Sequence, residues 1–198
     1  MKPFAESCLE NRGPILDVLR VELAGRRRLL EIGSGTGQHA VYLAGALPGL
    51  VWQTSELPHM LRGIRAWLAE PDTPPNVRPP IVLDVAGGPW PRERYDAVFS
   101  ANTAHIMHWE QVCAMFEGVG KILEPEGLFC LYGPFNYGGR YTSQSNARFD
   151  QWLKARDPGS GIRDFEALDE QAGKACLSLR KDWEMPANNR TLVWQRTG

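Results

Sequence analysis

The sequence predicts an α/β domain built on a doubly wound, seven-stranded sheet, mostly parallel, with its last strand antiparallel. Three observations predict it. Short apolar runs alternate with amphipathic helical stretches from Leu29 to Tyr132. A glycine-rich turn, Gly33-Ser34-Gly35-Thr36-Gly37, joins the first such run to a helix. The last two runs are separated only by Pro186-Ala187-Asn188-Asn189-Arg190, too few residues for a crossover helix, so they pair antiparallel.

Each element follows from spacing. Pro14 suits a first helical turn, and Ile15, Val18, Leu19 and Leu23 make one stripe of a helix that ends near Gly25. Leu29 to Ile32 is a short apolar strand stopped by Gly33. A helix runs from about Gln38 to Leu47, Pro48-Gly49 ends it, and Leu50 to Thr54 is the second strand, with the run continuing to Glu56. Leu57, Met60, Leu61, Ile64, Trp67 and Leu68 keep the i, i+3, i+4, i+7 rule of a helix. The prolines between Pro71 and Pro80 predict an extended surface connection feeding a third strand, Ile81 to Asp84. Tyr95 to Ser100 is the fourth strand. Trp109, Val112, Phe116, Val119 and Leu123 mark a helix closed by Pro125 and Gly127, and Leu128 to Tyr132 is the fifth strand. A helix carrying Phe149 and Leu153, a turn at Pro158-Gly159 and a short helix with Phe165 and Leu168 lead to the final pair, Leu177 to Met185 and Thr191 to Gln195. One domain covers residues 1–198, with 14–198 as its core. Residues 1–13 show neither strand nor helix period and read as a candidate lid segment.

Composition narrows the partners. The 198 residues hold 22 Lys and Arg against 23 Asp and Glu, a net charge of −1, and 43% hydrophobic residues, enough for a sizeable core. Binding nucleic acid mainly through phosphates needs a broad basic surplus, which is missing. Cys8, Cys113, Cys130 and Cys176 are far apart, so no zinc or redox pair is expected, and no metal site. No signal-peptide core and no long uncharged apolar run is present, so a cytoplasmic chain without membrane contact is expected. Arg26-Arg27-Arg28 lies between a helix end and a strand and reads as a solvated turn.

The chemistry concentrates at strand ends, where a doubly wound sheet opens its crevice. Gly33, Ser34 and Gly35 let a ligand approach the backbone while the next helix offers free N–H groups. The spacing departs from the dinucleotide pattern G-x-G-x-x-G, which disfavours a nicotinamide-dependent oxidoreductase. Glu31 suits a ligand ammonium better than a diphosphate. The run Glu31-Ile32-Gly33-Ser34-Gly35-Thr36-Gly37 resembles the first motif of the class I methyltransferases, which have a Rossmann-like fold and bind S-adenosylmethionine. That resemblance implies further roles: Glu56 for the ribose hydroxyls, Asp84 with Val85 for the adenine, and Tyr95-Asp96 opening the fourth strand.

Seven further segments are similar, in order, to an uncharacterised methyltransferase-like family whose vertebrate member is methyltransferase-like protein twenty-six. They are Pro3–Ser7, Asn11–Leu16, Ala101–Ile106, Tyr132–Phe135, Ser145–Asp150, Gly161–Asp164 and Met185–Asn189. Glu56 stands where that family is expected to carry Asp. The resemblance implies S-adenosylmethionine as cofactor and names no acceptor; the lack of an added recognition domain or basic face points to a small molecule, with protein side chains as a second class. Asn102 is expected beside the donor, and His105 as a general base, because imidazole titrates near neutrality. Phe135 and Tyr137 after the fifth strand, Asn188 and Asn189 in the last turn, and Asn11 and Arg12 in the lead-in segment are expected at the acceptor. A non-catalytic donor-binding or adaptor protein is the alternative.

Overall fold

Alternation of side chains across a pleated strand sends successive residues to opposite faces, and a parallel sheet needs both faces covered by helices. Leu29 and Leu30 begin that division in this protein. In the computed structural model, which describes residues 2–198, Leu29 joins one buried cluster and Leu30 the other. Leu128 and Phe129 divide in the same way.

The chain runs α1 (Glu6–Glu22), β1 (Arg28–Ile32), α2 (Gln38–Ala46), β2 (Val51–Glu56), α3 (Leu61–Leu68), β3 (Val77–Val82), β4 (Tyr95–Ala101), α4 (Trp109–Ile122) and β5 (Leu123–Gly133). It continues through β6 (Phe135–Asn136), α5 (Gln144–Arg156), β7 (Arg163–Asp164), α6 (Phe165–Lys174), β8 (Leu177–Met185), a single 3-10 turn (Pro186–Asn188) and β9 (Asn189–Arg196). The seven-stranded sheet has the order β3-β2-β1-β4-β5-β9-β8. Strands β1 to β5 are parallel, and β9 runs antiparallel to both β5 and β8, as the short final connection predicts. α1 and α2 cover one face; α4 and α6 cover the other. β6 and β7 form a separate two-stranded ladder. No helix among the described residues is long and apolar enough to cross a membrane.

Three segments depart from the sequence expectation. The first helix begins at Glu6, so Pro14 lies inside it and residues 6–13 are helical. Pro14 has no N–H to give the Glu10 carbonyl, a cost that the packing of Ile15 and Leu19 offsets. Tertiary bonds fasten the residues ahead of it: the Ala5 N–H donates to Gln38 Oε1 at 2.6 Å and the Trp67 indole donates to the Pro3 carbonyl at 2.6 Å. The third strand is Val77–Val82 rather than Ile81 to Asp84, and it contains Pro79 and Pro80. It is an edge strand, where proline is tolerated, and β2 bulges beside it between Gln53 and Ser55. Side chains of β2 replace the missing ladder bonds: Gln53 Nε2 donates to the Pro79 carbonyl at 2.7 Å and Thr54 Oγ1 to the Arg78 carbonyl at 3.1 Å. The fifth strand starts earlier, at Leu123, paired with Tyr95 across an irregular register.

The basic turn is structural. The Asp96 carboxylate accepts the Arg27 and Arg28 backbone N–H groups, each at 2.8 Å, and the Arg28 guanidinium pairs with Glu124 at 2.6 Å. These bonds seat the start of β1 against β4 at the rim opposite the glycine turn.

Two helical glycines test the packing. A Cβ at Gly120 would run into the Ala175 carbonyl, which cannot retreat as a side chain can, whereas a Cβ at Gly173 meets nothing within 4 Å. Gly120→Ala is expected to destabilise the fold by about 1–3 kcal/mol. Gly173→Ala, on the exposed side of α6, is expected to be neutral or to stabilise by about 0.5–1 kcal/mol. Urea unfolding of the two variants measures the difference; equal midpoints would refute the packing account.

Candidate functional site

The order β3-β2-β1-β4 reverses direction of winding at β1, and the crevice that results at the carboxyl ends of β1 and β4 is where a doubly wound sheet binds ligands. Two adjoining cavities occupy it. The smaller, about 430 Å³, is bounded by the glycine turn, by Glu56, and by Asp84 and Val85. The larger, about 770 Å³, lies toward α5 and the β8–β9 turn. Ser7, Asn102 and Ile106 line both.

Local rules build the smaller cavity. The Gly33 backbone is left-handed, with φ 71°, and a Cβ there would sit 2.6 Å from the Thr103 methyl, so only glycine lets β4's loop close against it. The Ser34 N–H donates to the Ser55 carbonyl at 3.0 Å, tying the turn to β2. The Gly35 N–H donates to Glu56 Oε2 at 2.9 Å, and Glu56 Oε1 accepts the Leu57 N–H at 2.8 Å. The Asp84 carboxylate accepts the Ala86 N–H at 3.0 Å. Asn102 holds a left-handed backbone, φ 57°, which Asn tolerates, with its N–H on the Tyr132 carbonyl at 2.9 Å.

Glu31 lies beneath the turn rather than on either cavity wall. Its Oε2 accepts bonds from Ser34 Oγ at 2.8 Å and from the Trp52 indole at 3.0 Å. Burial pushes its carboxyl up to about 7 against the lowering effect of those two bonds. A positive charge arriving above Ser34 would favour the ionised form.

In the larger cavity, His105 is 6% exposed, and its Nδ1 is buried without a hydrogen-bond partner. Burial, with the Arg163 guanidinium behind it, lowers its pKa to about 4, so the ring is neutral at physiological pH. Arg163 itself is committed to backbone carbonyls of Ala104, Met107 and Gly159. Asn11 faces the same cavity, and its Oδ1 lies 2.7 Å from His39 Nε2. Asn189 lines it from the β8–β9 turn.

The structure therefore brings Gly33, Ser34, Gly35, Glu56, Asp84, Val85 and Asn102 around one cavity and Asn11, Asn102, His105 and Asn189 around the next. Four expected acceptor residues fall elsewhere. Arg12 stacks on Tyr42 of α2, 4.4 Å from its ring centroid, because consecutive helical residues point about 100° apart. Phe135 is 1% exposed, carried into the core by the β6–β7 ladder. The Tyr137 hydroxyl donates to Asp182 at 2.7 Å while its ring stacks on Phe165. Asn188 turns the chain with φ 58°, its carbonyl accepting from Asn146.

Sequence reasoning missed the α1 residues Ser7, Cys8 and Glu10, which roof the cavities, because Pro14 hid the first half of that helix. It also missed Asn146, Phe149 and Trp152 of α5. Their spacing, three apart, was the available signal for a shared helix side.

Solved structures share this fold. The S-adenosylmethionine-dependent methyltransferase SibL is 21% identical with a TM-score of 0.82, over 97% of this chain and 56% of that one. An O-methyltransferase family 2 protein from Planctomyces limnophilus, in complex with apigenin, is 14% identical with a TM-score of 0.84, over 96% and 58%. PigF with SAH is 18% identical with a TM-score of 0.79, over 92% and 55%. The chain spans a little over half the length of each, and the likeness establishes a methyltransferase-type fold. Over residues 2–196 the chain matches the model of the family described as Protein of unknown function (DUF938), and it belongs to that family.

Proposed function

We propose that the chain is an S-adenosylmethionine-dependent methyltransferase for a small-molecule acceptor, with the donor in the smaller cavity and the acceptor in the larger. One observation carries this reading: two cavities meet at Asn102, and the first is ringed by the glycine turn, Glu56 and Asp84. The donor set fits. Glu56 offers a carboxylate to vicinal hydroxyls, Asp84 and Val85 offer an acceptor and a backbone N–H to a purine edge, and Glu31 supplies negative charge below the turn. When bound, the donor supplies an activated methyl group on a cationic sulfur. The protein's task is then alignment and exclusion of water, with a base where the acceptor must lose a proton. His105, neutral above about pH 4, holds the lone pair for that role across the neutral range. Similarity to solved methyltransferases supports the reading, as does the sequence resemblance to the family of methyltransferase-like protein twenty-six. Ala5, Ser7 and Cys8 line the smaller cavity and Ser7, Glu10 and Asn11 the larger, which supports a covering role for the lead-in segment.

Calorimetric titration is expected to show binding of S-adenosylmethionine and its demethylated product and none of NAD; NAD binding with no response to the other two would overturn the proposal. Glu56→Ala is expected to weaken donor binding about tenfold or more, from the loss of charge-assisted hydrogen bonds.

Glu31 makes that affinity depend on pH. With its carboxyl at about 7 in the free protein, Glu31 is protonated below that value, and a cationic donor favours the ionised form. Binding near pH 6 then releases a proton, and affinity falls by up to about tenfold per unit as pH drops below 7. Glu31→Gln should flatten the profile. Titrations near pH 6 in buffers of different ionisation heat measure the proton directly, and identical apparent enthalpies would exclude the linkage.

For His105, nitrogen NMR should show a neutral ring down to about pH 4.5. A midpoint near 6.5 would remove the burial argument.

A further inference from the structure

The larger cavity carries chemical information about its occupant. On one wall three rings follow one another from the interior to the mouth. The buried His105 ring meets Phe149 edge to face, with centroids 5.3 Å apart, and Phe149 stacks on Trp152 at 5.9 Å with an interplanar angle of 17°. Trp152 is 52% exposed, so the row reaches solvent. A surface built this way offers aromatic edges and faces over a length that an aliphatic ligand cannot exploit as fully.

The polar lining is equally selective. Asn11, Asn102, Asn146 and Asn189 bring side-chain amides, and Tyr132 a phenol, all uncharged. Neither cavity is lined by a Lys or Arg among the described residues. The cations beside the lining residues stand outside the lining: Arg163 bonds the three carbonyls already named, Arg156 lies over the Trp152 ring at 4.6 Å, Arg12 over the Tyr42 ring, Arg190 pairs with Asp182 and Glu184, and Arg148 is exposed on α5. The ionised groups that do face the cavities are acids, Glu10 in the larger and Glu56 and Asp84 in the smaller. A carboxylate or phosphate ligand would lose its hydration without a countercharge and would face those acids. Glu10 is exposed, where attraction for a cation is worth little, and among the described residues it is the one acid in the lining of this cavity.

We infer that the larger cavity binds an uncharged, planar aromatic molecule bearing a hydroxyl group, held against the His105–Phe149–Trp152 row. This rests on the methyltransferase reading for its consequence, since that molecule would be the methyl acceptor, but the binding claim stands on the cavity alone. The volume of about 770 Å³ is ample for a fused two- or three-ring system.

Four probes of matched size separate the possibilities: 2-naphthol, 2-naphthoate, 2-naphthylmethylammonium and decahydro-2-naphthol. Each is titrated calorimetrically into the full chain, with and without the demethylated donor. 2-Naphthol is expected to bind at least about tenfold more tightly than the naphthoate and the saturated alcohol, and more tightly than the ammonium. Phe149→Leu keeps apolar volume and removes the ring; it should weaken 2-naphthol about fivefold or more and leave binding of the demethylated donor unchanged. Trp152→Leu, at a half-exposed position that does not threaten folding, repeats the test. Equal or stronger binding of the naphthoate, the ammonium or the saturated alcohol overturns the inference, as does wild-type affinity for 2-naphthol in both variants. Failure of the donor arm with normal 2-naphthol selectivity would instead strike the methyltransferase reading and leave the inference standing.

Discussion

The carboxyl rim depends on how β1 is held between β2 and β4. From the β2 side, Ser55 Oγ donates to the Glu31 carbonyl at 2.6 Å, and the Ser34 N–H returns a bond to the Ser55 carbonyl. From the β4 side, Ser100 Oγ donates to the Ile32 carbonyl at 2.7 Å and contacts Thr103 Oγ1 at 2.7 Å. Both serines are fully buried. A parallel ladder leaves the last carbonyls of its strands without strand partners, and in a buried crevice each would cost about 1–3 kcal/mol if unpaired. Short hydroxyl side chains satisfy them without filling the space above, which is why the rim can be polar, rigid and open at once. The glycine turn, Glu56 and Asn102 take their positions from this clamp.

Much of the fold was legible because a few local signals agree. The strand, glycine turn and helix from Leu29 onward, the alternation of apolar runs, and the five-residue final connection each point to the same sheet. What escaped was decided by tertiary partners. Pro79 and Pro80 read as a loop, yet side-chain donors on β2 make an edge strand of them. Pro14 read as a helix start, yet the Gln38 and Trp67 bonds to the lead-in residues hold an earlier start at Glu6. Propensity is a local quantity, and neither partner is local.

The site shows the same boundary. The chain direction at a strand end is set by the sheet, and Glu56, Asp84 and Asn102, which follow strands, all reach the crevice. Residues further into loops divide: His105 and Asn189 line the larger cavity, whereas Phe135, Tyr137 and Asn188 do not. Phe135 and Tyr137 follow β5 but are drawn away, one by core packing and the other by Asp182, and neither pull is visible in the spacing. Glu31 is the instructive intermediate. Its position was legible, but its isolation beneath Ser34, bound to Trp52 of the neighbouring strand, turns a contact residue into a buried charge that acts through the turn.

The two cavities also divide the electrostatic labour. The smaller has carboxylates on its wall and one beneath its floor, an environment that favours a cation with hydroxyl and amino groups. The larger has amides, rings and an imidazole held neutral by burial and by Arg163, an environment that favours no charge at its inner end. α1 spans both, with Ser7 at their junction and Asn11 braced against His39 of α2. One helix thus contributes side chains to both cavities: Ser7 to each, Cys8 to the smaller, and Glu10 and Asn11 to the larger.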